Sequence, residues 1–182
     1  MTPSDATAGQ PTLVIVSGPP GSGKTTLAHL LADRVGCPAI SRDEIKEGMV
    51  HATPGFVPAP SDPLTRRTFE VFFATIELLL RAGVTLVAEA AFQDRLWRSG
   101  LESLGGLADF RVVRCRVSDE LARDRQLQRL AAQASRGAHA DLDQLGLPST
   151  FDPIALAVPT LDLDTTNGYQ PGLAEITAFA RG

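Results

Sequence analysis

A chain of 182 residues with 43% hydrophobic and 21% charged residues is long enough and apolar enough for one domain with a full core. A formal net charge of −4 excludes a global basic field for nucleic acid or an anionic membrane, so any pull on an anion must be local. Two cysteines, Cys37 and Cys115, are too few for a disulfide framework and lack zinc spacing, so each reads as a buried thiol in a reducing cytoplasm.

Residues 1–11 are small and polar and read as a disordered tail without signal-peptide character. No apolar run approaches a membrane span, and the expected location is cytoplasmic. Residues 12–182 are read as a single domain, with a lid at about 120–147. Thr12–Ser17 is the first strand; its Val and Ile enrichment without polar alternation suits burial on both faces of a parallel sheet. Next comes Gly18-Pro19-Pro20-Gly21-Ser22-Gly23-Lys24-Thr25, which reads G-x-x-x-x-G-K-[ST], the phosphate-binding P-loop. A helix starts near Lys24, with Leu27, Leu30, Leu31 and Val35 on one face and Gly36 at its end. Strand, glycine-rich loop and helix together aim main-chain N–H groups at one point, where the helix dipole also favours negative charge. One of the chain's only two lysines occupies the lysine position of the motif.

Pro38–Ser41 is a short strand, and Ser41 or Asp43 is positioned to cap a helix over Glu44–Val50. His51–Pro63, with Pro54, Pro58, Pro60 and Pro63, cannot be regular structure. Leu64–Arg81 is a long helix whose apolar face is Phe69, Phe72, Phe73, Ile76, Leu79 and Leu80, and Gly83 ends it. Val84–Ala88 is a third buried strand ending at Glu89, followed by a helix over Arg95–Leu104 that holds Trp97 as a packing residue. Phe110–Val117 is a fourth strand, Glu120–Ser135 an arginine-rich helix, Gly137–Pro153 a polar connection, Val158–Leu163 a last strand and Leu173–Ala180 a last helix. The alternation of strands and helices means an α/β domain, a parallel sheet wrapped by helices on both faces. Ligands in such sheets sit beyond the carboxyl ends of the strands, so the residues following each strand are the telling ones.

On the P-loop, Gly18, Pro20, Gly21, Ser22, Gly23, Lys24, Thr25 and Thr26 are the expected nucleotide contacts. Lys24 is aimed at the β- and γ-phosphates and Thr25 at Mg2+. Asp43 follows the second strand and can either accept the proton of an acceptor hydroxyl or simply cap the helix. Glu89 closes the third strand in a Walker B position, where Asp is commoner. It is open to metal, base or acceptor-binding roles, or to a plain solvated rim position. Arg42, Phe92 and Arg95 complete the expected acceptor side. Phosphoryl transfer needs cations over the γ-phosphate, and Arg125, Arg129 and Arg136 are candidates on the lid, Arg129 foremost. The rival account is a solvated helix face paired with Asp119, Glu120 and Asp124. Asp164–Tyr169 could cup a purine ring, and Asn167, the sole asparagine, leaves no N-K-x-D guanine motif, which favours ATP.

Across Leu13–Ala180 the chain resembles the small P-loop kinases of the adenylate-kinase-like group. It is similar above all to the AAA-type or zeta-toxin-like predicted kinases, with chloramphenicol phosphotransferase and gluconate kinase nearby. The likeness rests on Gly18–Thr25, Ile40–Ile45, Leu86–Phe92, the lid arginines and Leu163–Thr166. It implies a three-layer P-loop NTPase fold with a five-stranded parallel sheet in the order 2-3-1-4-5 and a helical lid. It also implies ATP and Mg2+, transfer of the γ-phosphoryl group to a hydroxyl, and Asp43 as base. The expected enzyme is an ATP-dependent kinase of an antibiotic, nucleoside or sugar-like small molecule. The alternatives are a zeta-toxin-like UDP-N-acetylglucosamine kinase, with an antitoxin-like partner open, and a nucleotide-dependent switch ATPase without acceptor.

Overall fold

A computed structural model describes residues 9–57, 59, 62–132 and 151–182. The strands are β1 (Thr12–Ser17), β2 (Ala39–Ser41), β3 (Leu86–Glu89), β4 (Asp109–Arg116) and β5 (Thr160–Asp164). The helices are α1 (Lys24–Val35), α2 (Arg42–His51), α3 (Pro63–Arg81), α4 (Asp94–Ser103), α5 (Asp119–Ala132) and α6 (Leu173–Arg181). All pairings in the sheet are parallel, in the order β2-β3-β1-β4-β5, which is the expected order.

The central strand divides the core by its two-residue period. Leu13 and Ile15 face the α3–α4 layer, where Phe72, Ile76, Leu80, Trp97 and Leu101 pack. Val14 and Val16 face the other layer, with Leu27 and Leu31 of α1 and Ile176 and Ala180 of α6. Each of these eight aliphatic side chains of β1, α1 and α6 and the buried α3 residues is at most 2% exposed, so both sheet faces are sealed and function is confined to the sheet's ends. Leu30, expected on the buried face of α1, is 40% exposed instead.

Several boundaries differ from the sequence expectation, each for a visible reason. α2 starts at Arg42 rather than Glu44, so Asp43 lies inside its first turn and is not a cap. Ser41 holds the cap position but turns its hydroxyl away to Glu89. α3 begins at Pro63 because Asp62 caps it, accepting a hydrogen bond from the Thr65 N–H at 2.8 Å, and proline suits the first helical position. The same Asp62 carboxylate takes a second bond from Lys46 of α2, at 2.8 Å, with both side chains at most 4% exposed. Burial alone would raise the Asp62 carboxyl, but the bonds from Lys46 and Thr65 outweigh it and hold it below its ordinary range. This buried pair ties α2 to α3.

Candidate active site

β1 ends in the P-loop, and the loop's conformation explains its glycines. Gly21 and Gly23 have φ of 80° and 79°, a region that costs an L side chain roughly 1–2 kcal/mol. A Cβ on Gly18 would lie 2.6 Å from Ser22 Oγ and 2.9 Å from the Cys115 carbonyl oxygen. One on Gly21 would strike the Ala122 backbone of α5. The loop is thus threaded between β4 and α5 without room for a side chain at Gly18 or Gly21. α1 has Gly23 as its N-cap and no side chain caps it, so its leading N–H groups point into the cradle. Such a helix start, below a glycine-rich loop, is a phosphate-binding geometry.

Lys24 is buried. Its Nζ lies 3.5 Å from the Pro19 carbonyl oxygen, to which it donates, and 3.8 Å from Glu89 Oε1. Glu89 is 1% exposed, and its other oxygen, Oε2, accepts the Ser41 hydroxyl at 2.7 Å. The register makes this contact: Ser41 of β2 and Val16 of β1 both pair with Glu89 of β3. Burial pushes the Glu89 carboxyl up; Lys24 and the hydroxyls of Ser41 and Thr25 pull the other way without cancelling it, and Asp43 adds to the rise. Glu89 Oε1 and Ser22 Oγ are buried polar atoms with no hydrogen-bond partner among the described residues, and both stand at the P-loop. Buried polar groups left unpaired at one place are a mark of a catalytic or ion-binding site.

The other expected residues divide. Asp43 and Arg42 lie on the first turn of α2, where Arg42 Nη1 donates to Asp43 Oδ1 at 2.9 Å. Arg95 is exposed on the first turn of α4. Its neighbour Arg98 is held by Asp94 at 2.8 Å and donates to the Ala155 carbonyl at 3.0 Å, which fastens the chain after residue 150 onto α4. Phe92 requires correction. It is 0% exposed and its ring packs 4.9 Å from that of Trp97 and 5.9 Å from that of Phe72. Its φ of 47° turns the chain back after Glu89 and sends the ring into the core, so it cannot present a wall to an acceptor. Trp97 is core, as expected.

On the outer side of the P-loop lies a cavity of about 490 Å3, lined among others by Gly23, Thr26, Arg125, Arg129, Gly168 and Tyr169. It joins α5 to the loop after β5, where a purine-cupping segment was expected. Arg125 lines it but spends its guanidinium on the Thr165 and Thr166 carbonyls, at 2.8 and 3.1 Å. Thr26 is exposed there and Pro20 sits at the loop's outer rim. Arg136 and the far part of the expected lid fall outside the described residues. The contacts of three residues escaped the sequence reading. Lys46 had a signal, as the second of only two lysines. Gln126 had none, and the Thr165 side chain could be placed only once the strands were registered.

The comparisons agree with this geometry. The family model described as AAA domain matches residues 13–146, and the chain belongs to that family. Among solved structures, a "putative kinase" from Chloroflexus aurantiacus j-10-fl is 27% identical, with 94% of this chain and 97% of that one covered and a TM-score of 0.82. The Mycobacterium tuberculosis APS kinase CysC, solved with AMPPNP and APS, is 18% identical over 94% and 98% of the two chains, with a TM-score of 0.64. A gluconokinase from Sinorhizobium meliloti 1021 is 22% identical over 94% and 89%, with a TM-score of 0.52. A search of curated protein sequences gives no match. The fold is that of a small P-loop kinase.

Proposed function

We propose, with membership of the AAA domain family as the premise, that this chain is an ATP-dependent phosphotransferase acting on a hydroxyl of a small molecule. The observation that carries the reading is the meeting of the P-loop with Asp43 and Glu89 at the carboxyl ends of three adjacent strands, β1, β2 and β3. The loop's main-chain N–H groups and Lys24 hold the β- and γ-phosphates. As Lys24 moves to phosphate it leaves Glu89 and the Pro19 carbonyl, its resting partners. Asp43 takes the proton of the acceptor hydroxyl, and Arg42 and Arg95 orient the acceptor. Arg129, on the cavity wall, faces the nucleotide side.

The residues also fit Mg2+. The Thr25 hydroxyl is near enough to the Glu89 carboxylate to lower its proton affinity, an all-oxygen pair of the kind that hard cation prefers. Thr25 would hold the ion and Glu89 would do so through water. The ion would supply charge neutralisation on the transferring phosphoryl group.

Neighbours named as a gluconokinase and an APS kinase support a small-molecule acceptor. A sugar-like or nucleoside-like alcohol fits best. The deciding experiment incubates the protein with Mg·ATP and pooled sugars, nucleosides and hydroxylated antibiotics and seeks an added phosphate by mass spectrometry. Phosphorylation of one class, lost in Lys24→Ala, is the expected result. ATP hydrolysis with no acceptor gaining phosphate would overturn the reading in favour of a switch ATPase.

A further inference from the structure

The P-loop is gripped from outside, and the grip falls on two peptide groups of consequence. The Gln126 side-chain amide, on α5, donates to the Pro20 carbonyl at 3.2 Å. The Thr165 hydroxyl, just past β5, donates to the Ser22 carbonyl at 2.8 Å in a buried contact. A trans peptide group is planar, with its C=O and N–H on opposite sides. Fixing the Pro20 carbonyl outward therefore turns the Gly21 N–H inward, and fixing the Ser22 carbonyl does the same for the Gly23 N–H. Glycine is where such control is needed, because Gly21 and Gly23 have no side chain to limit peptide rotation and sit at φ of 80° and 79°.

We propose that Thr165 and Gln126 are positioning residues that set the peptide planes of the phosphate cradle, Thr165 being the principal one. The inference rests on the P-loop holding a nucleotide's phosphates, as argued above. Thr165 is suited to the role by its own anchoring. It is 4% exposed, and its N–H donates to the Arg116 carbonyl at 2.9 Å. That same carbonyl lies 3.1 Å from its hydroxyl, and the Arg125 guanidinium grips its carbonyl oxygen at 2.8 Å. Gln126 is steadied through a second contact of its amide with the Ala122 carbonyl, 3.3 Å away on its own helix. α5 and the post-β5 loop thereby stand to the P-loop as a mould, and Arg125 locks the two halves of the mould together.

Thr165→Val keeps the shape, removes the hydroxyl and leaves the Ser22 carbonyl buried without a donor. Thr165→Ser keeps the donor. Two ligands distinguish the phosphate cradle from the rest of the site: inorganic tripolyphosphate, which carries only phosphates, and adenosine, which carries none. Calorimetric titration of wild type, Thr165→Val, Thr165→Ser and Gln126→Leu, with thermal melting alongside, gives the readout. The expected result is tripolyphosphate affinity lowered about tenfold in Thr165→Val, the scale of one buried carbonyl left unpaired. Thr165 also lines the cavity, but its hydroxyl is already spent on the Ser22 and Arg116 carbonyls and valine keeps its shape, so adenosine affinity stays unchanged. Thr165→Ser regains wild-type affinity for tripolyphosphate, and Gln126→Leu shows a smaller loss. Equal tripolyphosphate binding by Thr165→Val and wild type would overturn the proposal. So would a parallel loss of adenosine and tripolyphosphate in Thr165→Val, which marks general loosening. Wild type that binds no tripolyphosphate at all would bring down the nucleotide reading itself and this inference with it.

Discussion

Replacing Lys24 by alanine removes the proposed phosphate ligand and, at the same time, the only cation within 4 Å of the buried Glu89 carboxylate among the described residues. At 3.8 Å, with an effective dielectric constant of about 20, the Lys24–Glu89 attraction is about 4 kcal/mol before desolvation is counted. Stripping one partner from a buried pair typically costs about 3–5 kcal/mol. For a chain of this size that corresponds to a fall in melting temperature of roughly 6–20 °C, at about 2–4 °C per kcal/mol. The sign of the pH dependence follows from burial. Glu89 has its proton affinity raised in the folded state, so its full contribution to stability is present below its ordinary value of 4.5 and is lost as pH rises through the raised one. The Lys24→Ala deficit is therefore largest above the raised value, where Glu89 is ionised, and closes below 4.5. Adding Glu89→Gln removes the stranded charge and restores most of the melting temperature while phosphotransfer stays abolished. Thermal melts of wild type, Lys24→Ala and the double variant across pH measure this. A deficit that is flat with pH, or no recovery in the double variant, would refute the claim that Lys24 offsets the burial of the Glu89 carboxylate.

Asp43→Asn lowers the transfer rate by about 10²–10⁴, the usual worth of a general base, with the KM for ATP little changed, as steady-state kinetics would show. A loss confined to KM would assign Asp43 to binding instead. Lys46→Ala strands the buried Asp62 carboxylate and lowers stability by about 3–5 kcal/mol in denaturant titration. Asp62→Asn is also less stable near neutral pH, and because the folded-state Asp62 value is depressed, its deficit shrinks as pH falls below 3.8. Burial pushes the Cys115 thiol up to about 12, so it stays protonated and resists alkylation in mildly alkaline buffer until the chain unfolds. Mass-spectrometric mapping of iodoacetamide adducts should find Cys37 modified first.

The P-loop was legible because its chemistry is main-chain and contiguous: eight consecutive letters specify the conformation. The buried strands were legible because runs such as Leu13–Val16 have no polar alternation, and two apolar faces require two helical layers. Phe92 misled because an aromatic residue after a strand end looks the same whether its ring turns outward or inward. The turn at φ 47° that decides the matter is unusual for a non-glycine residue and carries no sequence signal. Ser41 looked like a helix cap because serine is a good one, yet a strand register that sets it beside Glu89 gave its hydroxyl a stronger acceptor. Contacts such as Thr165 with Ser22, 143 positions apart, depend wholly on strand order and could not be read from local spacing.

The two sides of the site are built on different principles. The cradle is a main-chain structure whose shape is enforced from α5 and the post-β5 loop, so its donors are ordered before any ligand arrives and phosphate binding needs little further loss of entropy. The opposite side is made of charges that satisfy one another: Lys24 faces Glu89, and Arg42 faces Asp43. A resting site whose buried carboxylate has a cation beside it is stable to fold. On the proposed reading it becomes unbalanced when phosphates draw Lys24 away and leave Glu89 with Ser41 and Thr25. Ligand binding is then the event that frees a buried carboxylate. This is why the Lys24→Ala, Glu89→Gln pair separates folding from catalysis: the double variant removes the balance and the imbalance together, and retains a P-loop that is correctly shaped but lacks its cation.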